Sequence, residues 1–243
     1  MQHPHFGKML VLDGVVQLTE RDEFFYHEML VHPAMHAHPS PQRVLIIGGG
    51  DGGSLREVLK HPGVQGVTLV EIDQGVVEIS RSFFPSLSQG FADPRVQVVY
   101  QDGTKLVQQP PSQYDVVIVD STDPVGPAEG LFSAEFYGSA FRALMPQGIL
   151  VTQSESLLFH TAFVADVQRR LSQHFPIVDC YAQPLATYAG NWWTFSIASK
   201  AHGLRRPSRG SKIPTRYYSP EVHRKAFLPR AIYRRLLAGT LGW

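Results

Sequence analysis

From Arg43 onward the chain alternates between two hydrophobic patterns. Short runs apolar at nearly every position, RVLIIG (43–48), GVTLVEID (66–73), VQVVY (96–100) and YDVVIVD (114–120), are separated by stretches with helical spacing. A strand apolar on both faces is buried on both faces, as in a parallel sheet covered by helices. Ser54 predicts an N-cap for the first helix, which ends before Pro62. The next helix reaches Phe84 and is stopped by Pro85. A helix from Ser133 through Met145 is turned by Pro146-Gln147-Gly148 into a strand at 148–154. A helix over 161–175 ends at Pro176, and two strands, about 177–185 and 191–199, close the series.

Upstream the pattern differs. KMLVL (8–12) and VVQL (15–18) flank Asp13-Gly14, a strong two-residue hairpin signal. Thr19 and Asp22 form a capping-box pattern, and DEFFYHEMLV reads as a helix that Pro33 ends. The reading divides the chain into residues 1–38, a hairpin with a linking helix, and residues 39–243, one large domain. For that domain the alternation predicts an α/β fold: a Rossmann-like, methyltransferase-like doubly wound sheet, mostly parallel, with one antiparallel edge strand.

Composition removes several classes. Hydrophobic residues make up 43% of 243 and charged residues 18%, which excludes disorder for the bulk. The one cysteine, Cys180, excludes a disulfide framework and reads as a packed thiol. No apolar run approaches the ~20 residues of a membrane helix, and MQHPHFGK lacks a secretion signal, so a cytoplasmic protein is expected. The net charge of +1 hides an asymmetry: residues 200–243 carry 11 bases and one acid, leaving 11 bases and 20 acids in residues 1–199. An acidic body repels nucleic acid and draws cations. The bases of the tail are dispersed among apolar residues without a nucleic-acid motif.

The chemistry gathers at the carboxyl ends of the predicted strands, where open α/β sheets bind ligands. Gly48, Gly50 and Gly53 of GGGDGG satisfy G-x-G-x-x-G between a strand and a helix, and Glu71 or Asp73 follows at the spacing of a ribose-gripping acid. Asp51 inside the loop would repel a pyrophosphate, so a cationic ligand is expected over a dinucleotide. Asp102, Asp120 and Asp123 fall at the next strand ends, with no Lys or Arg there to balance them. His32, His36 and His38 resemble a metal cluster but read as part of a Pro-rich linker with no carboxylate or thiol beside them, so no metal is expected. Trp192 and Trp193 must point to opposite faces of a strand, so at most one lines a pocket.

VLIIGGGDGGSLREVLKH, VEID and DVVIVDSTDPVGPAEGLF together resemble the spermidine synthase (polyamine aminopropyltransferase) family. The resemblance extends to LDGVVQLTERDEFFYHEML, ATYAGNWWTF and RYYSPEVHRKAFLP, nearly the whole chain. It implies transfer of an aminopropyl group from decarboxylated S-adenosylmethionine, a co-substrate and not a resident cofactor, to putrescine, giving spermidine and methylthioadenosine. It implies Asp120 as the catalytic acid–base, with Tyr26, His27, Asp51, Asp120, Asp123 and Tyr188 around the amine and Gln153 at the channel wall. Asp51, Glu71, Asp102, Gly103 and Pro127 would meet the donor. The leaving thioether is neutral, so no metal is implied. A homodimer or homotetramer is implied, with no nucleic-acid or membrane partner.

Two departures stand against the family pattern. The N-terminus is shorter, lacking a donor-contacting glutamine, and Asn191-Trp192-Trp193 is bulkier than usual. Weaker donor binding, self-association through residues 6–19 and an altered acceptor channel are therefore expected. Agmatine, cadaverine or spermidine as acceptor, a methyltransferase on the same fold, and a non-catalytic homologue stay as alternatives.

Overall fold

The computed structural model describes residues 1–110, 113–208, 210 and 212–242. Its main sheet has seven strands: β4 (Arg43–Gly48), β5 (Gly66–Glu71), β6 (Val96–Tyr100), β7 (Tyr114–Asp120), β8 (Leu144–Ser156), β9 (Ile177–Pro184) and β10 (Trp192–Ser199). They lie in the order β6-β5-β4-β7-β8-β10-β9. The all-apolar runs behave as their pattern requires. Val44, Ile46, Val116 and Ile118 enter the core on one face, and Leu45, Ile47, Val117 and Val119 enter the core on the other.

Strand β10 is the antiparallel one, but it is not at the edge. It inserts between β8 and β9, pairs antiparallel with both, and leaves β9 outermost. Strand β8 also begins earlier than expected, because Leu144 leaves the helical region directly and Pro146-Gln147-Gly148 continues the strand.

Helix α1 (Glu23–Ala37) runs straight through Pro33. A proline inside a helix removes the hydrogen bond to the carbonyl four residues back, a loss of ~3 kcal/mol. That carbonyl, Met29 O, accepts instead from the buried Tyr181 hydroxyl at 2.7 Å. The helix therefore continues and places His32 and His36 inside the protein, not in a linker. Asp22, not Thr19, is the N-cap residue; its carboxylate accepts from the Thr19 hydroxyl at 2.6 Å and from the Thr187 backbone N–H at 3.0 Å.

The other helices flank the sheet: α2 (Gly53–Leu59), α3 (Gln74–Phe83), α4 (Pro85–Ser88), α5 (Gly103–Leu106), α6 (Ala134–Ala143), α7 (Thr161–Ser172), α8 (Pro220–Ala226) and α9 (Arg230–Leu237). Gly52, in the left-handed region at φ +87°, caps α2 in place of the anticipated Ser54. Pro85 both ends α3 and opens α4. The Ser133 hydroxyl caps α6 as the sequence indicates.

The N-terminal sheet has three strands, β1 (Gln2–His3), β2 (Gly7–Leu12) and β3 (Val15–Thr19), one more than the hairpin the sequence announces. Leu10 and Leu18 pack on Val76, Phe84 and Leu87. The basic tail folds onto the body. Buried Glu28 accepts the backbone N–H groups of Arg216, Tyr217 and Tyr218 at 2.7, 2.8 and 2.7 Å, and Arg205 clasps Asp179 through two bonds of 2.6 and 2.8 Å.

Candidate active site

The glycine loop exists because two backbones meet there. Gly48 sits at φ +80°, and a Cβ on it would lie 2.1 Å from the Asp120 carbonyl oxygen, so only glycine lets β4 and β7 end side by side. The Gly49 N–H donates to that carbonyl at 2.9 Å. The last glycine serves a different neighbour. A Cβ on Gly53 would lie 2.2 Å from the His27 ring, so this glycine makes room for an imidazole from α1.

His27 is the hub of the site. Its Nδ1 lies 2.7 Å from Glu23 Oε2 and its Nε2 3.3 Å from Asp51 Oδ1. Burial opposes charging the ring, but the two carboxylates at its nitrogens hold the imidazolium well above the usual histidine range. Glu23 is in turn gripped by Arg56 through bonds of 3.1 and 2.9 Å. The sequence reading found no Lys or Arg at the strand ends; a buried histidine and an arginine one turn into α2 supply the balancing charge.

Asp51 and Asp120 bring ligand oxygens within 4.8 Å of each other and of a His27 nitrogen. Burial pushes Asp51 up, but the imidazolium and the Gly53 N–H outweigh it and hold the carboxyl below its usual range. Asp120 moves the other way: burial and the neighbouring Asp51 charge raise it. Its Oδ1 accepts from the Tyr26 hydroxyl at 2.8 Å, while buried Oδ2 has no hydrogen-bond partner among the described residues. Tyr188 packs edge-on against Tyr26, 5.7 Å between centroids, and its hydroxyl donates to Gln17 O at 2.5 Å, tying this wall to β3.

A second carboxylate pair lies farther along β8. Glu155, at φ +68°, turns its buried side chain beside Asp123, and burial together with that neighbour pushes its carboxyl up to about 8. Its Oε2 lies 2.9 Å from Nδ1 of the half-exposed His160. The sequence reading missed Glu155 and His160. Gln153 is buried and acts as a brace: its Nε2 donates to Thr122 O at 3.2 Å, and its Oε1 accepts from Glu155 N at 3.0 Å.

The remaining positions line the other end. Glu71, half of the open choice with Asp73, accepts from Gly50 N at 3.1 Å and Asp73 N at 3.0 Å; burial raises its carboxyl above the ordinary range despite those bonds. Asp73 instead caps α3 through Gly75 N at 2.8 Å. Asp102 caps α5, accepting from the Thr104 N–H and hydroxyl at 2.8 and 2.7 Å. Gly103 follows where a Cβ would strike Ile47 at 2.3 Å. Pro127 lies in the 3-10 turn Gly126–Phe132. Trp193 is buried against Tyr188 at 4.6 Å, whereas Trp192 is partly exposed on the opposite face, lining a groove beside α8.

The histidine cluster departs from expectation. His32 has a carboxylate beside it, Glu57 Oε2 at 3.0 Å, and its other nitrogen lies 3.0 Å from His61 Nε2. His32, His36 and His61 bring ligand atoms within 4.8 Å of one another. His32, Arg56 and Lys60 outweigh burial and hold Glu57 at about 2. Cys180 is buried, and burial pushes its thiol far above the usual range.

Comparisons with known proteins identify the family. Residues 23–206 match the spermine/spermidine synthase domain, and residues 1–20 the spermidine synthase tetramerisation domain. A polyamine aminopropyltransferase of Aquifex aeolicus is 52% identical over 239 residues, 98% of this chain and 85% of that protein. The corresponding protein of Bacillus subtilis is 45% identical over 230 residues, 93% of this chain and 83% of that one. A spermidine synthase crystallised with the transition-state analogue AdoDATO superposes with a TM-score of 0.91 at 37% identity, covering 98% of this chain and 83% of that chain. The spermidine synthase of Thermotoga maritima gives 0.87 at 36%, covering 98% and 82%.

Proposed function

Because this chain belongs to the spermine/spermidine synthase family, we propose that it is a polyamine aminopropyltransferase using decarboxylated S-adenosylmethionine as donor and putrescine as acceptor. The observation that carries this reading is the pairing of half-buried Asp51 with buried Asp120 at the ends of β4 and β7, with Asp123 and Glu155 beyond it. Donor and diamine are both cations, and intact S-adenosylmethionine would bring a carboxylate against that wall.

In this reading the acceptor nitrogen attacks the propyl carbon beside the sulfonium. The C–N bond forms as the C–S bond breaks, and the electron pair returns to sulfur, leaving neutral methylthioadenosine. Asp120 takes the proton the nitrogen gives up; its raised carboxyl and unpartnered Oδ2 suit that role. Tyr26 orients Asp120, and Tyr188 closes the apolar side of the channel. Asp51 and His27 sit at the reacting end, and Asp123 faces the acceptor's distal ammonium. Glu71 grips the donor ribose, Asp102 and Gly103 meet the adenine edge, and Pro127 packs on the nucleoside. Residues 39–243 form the catalytic domain and residues 1–38 the N-terminal unit. Self-association runs through residues 1–20, the stretch that matches a tetramerisation domain; Val15 lies exposed on it. Among the described residues no helix is long and apolar enough to cross a membrane.

The test is product analysis. Protein incubated with the decarboxylated donor and a panel of putrescine, cadaverine, agmatine and spermidine should release methylthioadenosine fastest with putrescine. Methylthioadenosine with another amine would reassign the acceptor, and methyl transfer from intact S-adenosylmethionine would replace the reading.

A further inference from the structure

Two carboxylates as close as Asp51 and Asp120 do not both ionise without help; one takes up a proton, and which one is set by the surroundings. Here the surroundings are built in a line. Arg56, on α2, grips Glu23 with two hydrogen bonds. Glu23 holds His27 Nδ1 at 2.7 Å, and His27 Nε2 then points at Asp51 rather than elsewhere. Gly53 supplies the space in which the ring lies. Glu23 and His27 are buried, so these contacts are little screened.

We propose that Glu23 and Arg56 are positioning residues that act through His27: they lock its ring between two carboxylates and thereby fix Asp51 as the permanent anion and leave Asp120 as the carboxylate that takes the proton. Neither is among the residues placed above against the donor or the amine. The role rests on the aminopropyl-transfer reading, because only a reaction that releases a proton at the amine needs this division of labour. The groups facing His27 are Glu23 and Tyr26 from α1, Asp51 from the glycine loop, Arg56 from α2 through Glu23, and Asp120 from β7, while Tyr188 from the β9–β10 connection lines the same cavity.

The sign follows. Glu23→Gln keeps the shape and can still accept from Nδ1, but it removes one of the two charges that keep the ring cationic. A neutral His27 leaves Asp51 and Asp120 to share a proton, so Asp120 stays protonated to higher pH. The acid limb of the kcat/KM profile should move up by about one pH unit, with turnover at neutral pH falling about tenfold. Arg56→Met should do the same to a smaller degree, and Arg56→Lys should restore most of the profile. Nitrogen-15 NMR of the histidine side chains, with His27 assigned by its loss in His27→Asn, should show both ring nitrogens protonated at pH 8 in the unaltered protein and one in Glu23→Gln.

A uniform fall in kcat without movement of the limb would make Glu23 a packing residue and overturn the proposal. So would a His27 that is neutral at pH 8 in the unaltered protein. If Glu23→Gln does not fold, Arg56→Met and Arg56→Lys carry the same test. The NMR signature does not depend on turnover, so a protein that releases no methylthioadenosine but shows a cationic His27 contradicts the function and not the relay.

Discussion

The two carboxylate pairs of the site solve the same electrostatic problem in opposite ways. Asp51 and Asp120 lie against a buried imidazolium, which is itself held by Glu23 and Arg56. Among the described residues the basic side chain against the second pair, Asp123 and Glu155, is the half-exposed His160, which meets Glu155, and Glu155 is pushed up until it keeps a proton near neutral pH. The first pair is charged in advance by a fixed internal cation. The second stays partly neutral until a cation from outside arrives. Where bonds change, the protein sets the charge beforehand; at the far end of the channel it leaves the charge to be completed by the ligand.

The largest effect should come from breaking the preset pair. Asp120→Asn removes the proton acceptor and should lower kcat by ~10²–10⁴ while donor affinity by calorimetry stays within a few-fold. Gly53→Ala attacks the same pair from beneath, since its Cβ would occupy space the His27 ring fills. It should cost about 1–3 kcal/mol of stability by overpacking, read as a lower Tm, together with lost turnover. Unchanged values for both would separate the glycine from the histidine seat.

Glu155→Gln sharpens the contrast at the other pair. Its folded carboxyl, near 8, lies above the unfolded value, so between about pH 4.5 and 8 the folded state binds the extra proton and stability falls as pH rises. The stability this proton contributes is full below the unfolded value and lost as pH climbs through about 8. Glutamine has no such dependence. The variant should therefore melt higher than the unaltered protein at pH 8, by the order of 1–3 kcal/mol, with the gap closing toward pH 4. Thermal melts across that range check it.

The parallel strands were legible because runs such as RVLIIG and YDVVIVD are buried on both faces and carry no competing pattern. Glu71, Asp102 and Asp120 were legible for a related reason: strand ends and the residues just past them can be counted from those runs. Contacts made at long range were not. Nothing local shows that Tyr181 will satisfy Met29 O and let α1 pass Pro33, or that His61 will meet His32. Arg56 looks like an ordinary helix residue until Glu23, 33 positions earlier, folds against it. Glu155 was hidden because its approach to Asp123 depends on a positive φ at the end of an extended strand, which its sequence, a glutamate between serines, does not announce. The antiparallel β10 was foreseen as a pairing but not as an insertion, because strand order is a property of the sheet and not of either strand.

A carboxylate wall at the donor's charged end favours the nucleoside that lacks a carboxylate of its own. Calorimetry of decarboxylated and intact S-adenosylmethionine with the same protein at neutral pH tests it directly. The intact nucleoside differs by one carboxylate that would face Asp51, so the decarboxylated form should bind at least about tenfold tighter, a difference of ~1.4 kcal/mol. Equal affinities, or tighter binding of the intact form, would mean that the carboxylate wall does not choose the donor.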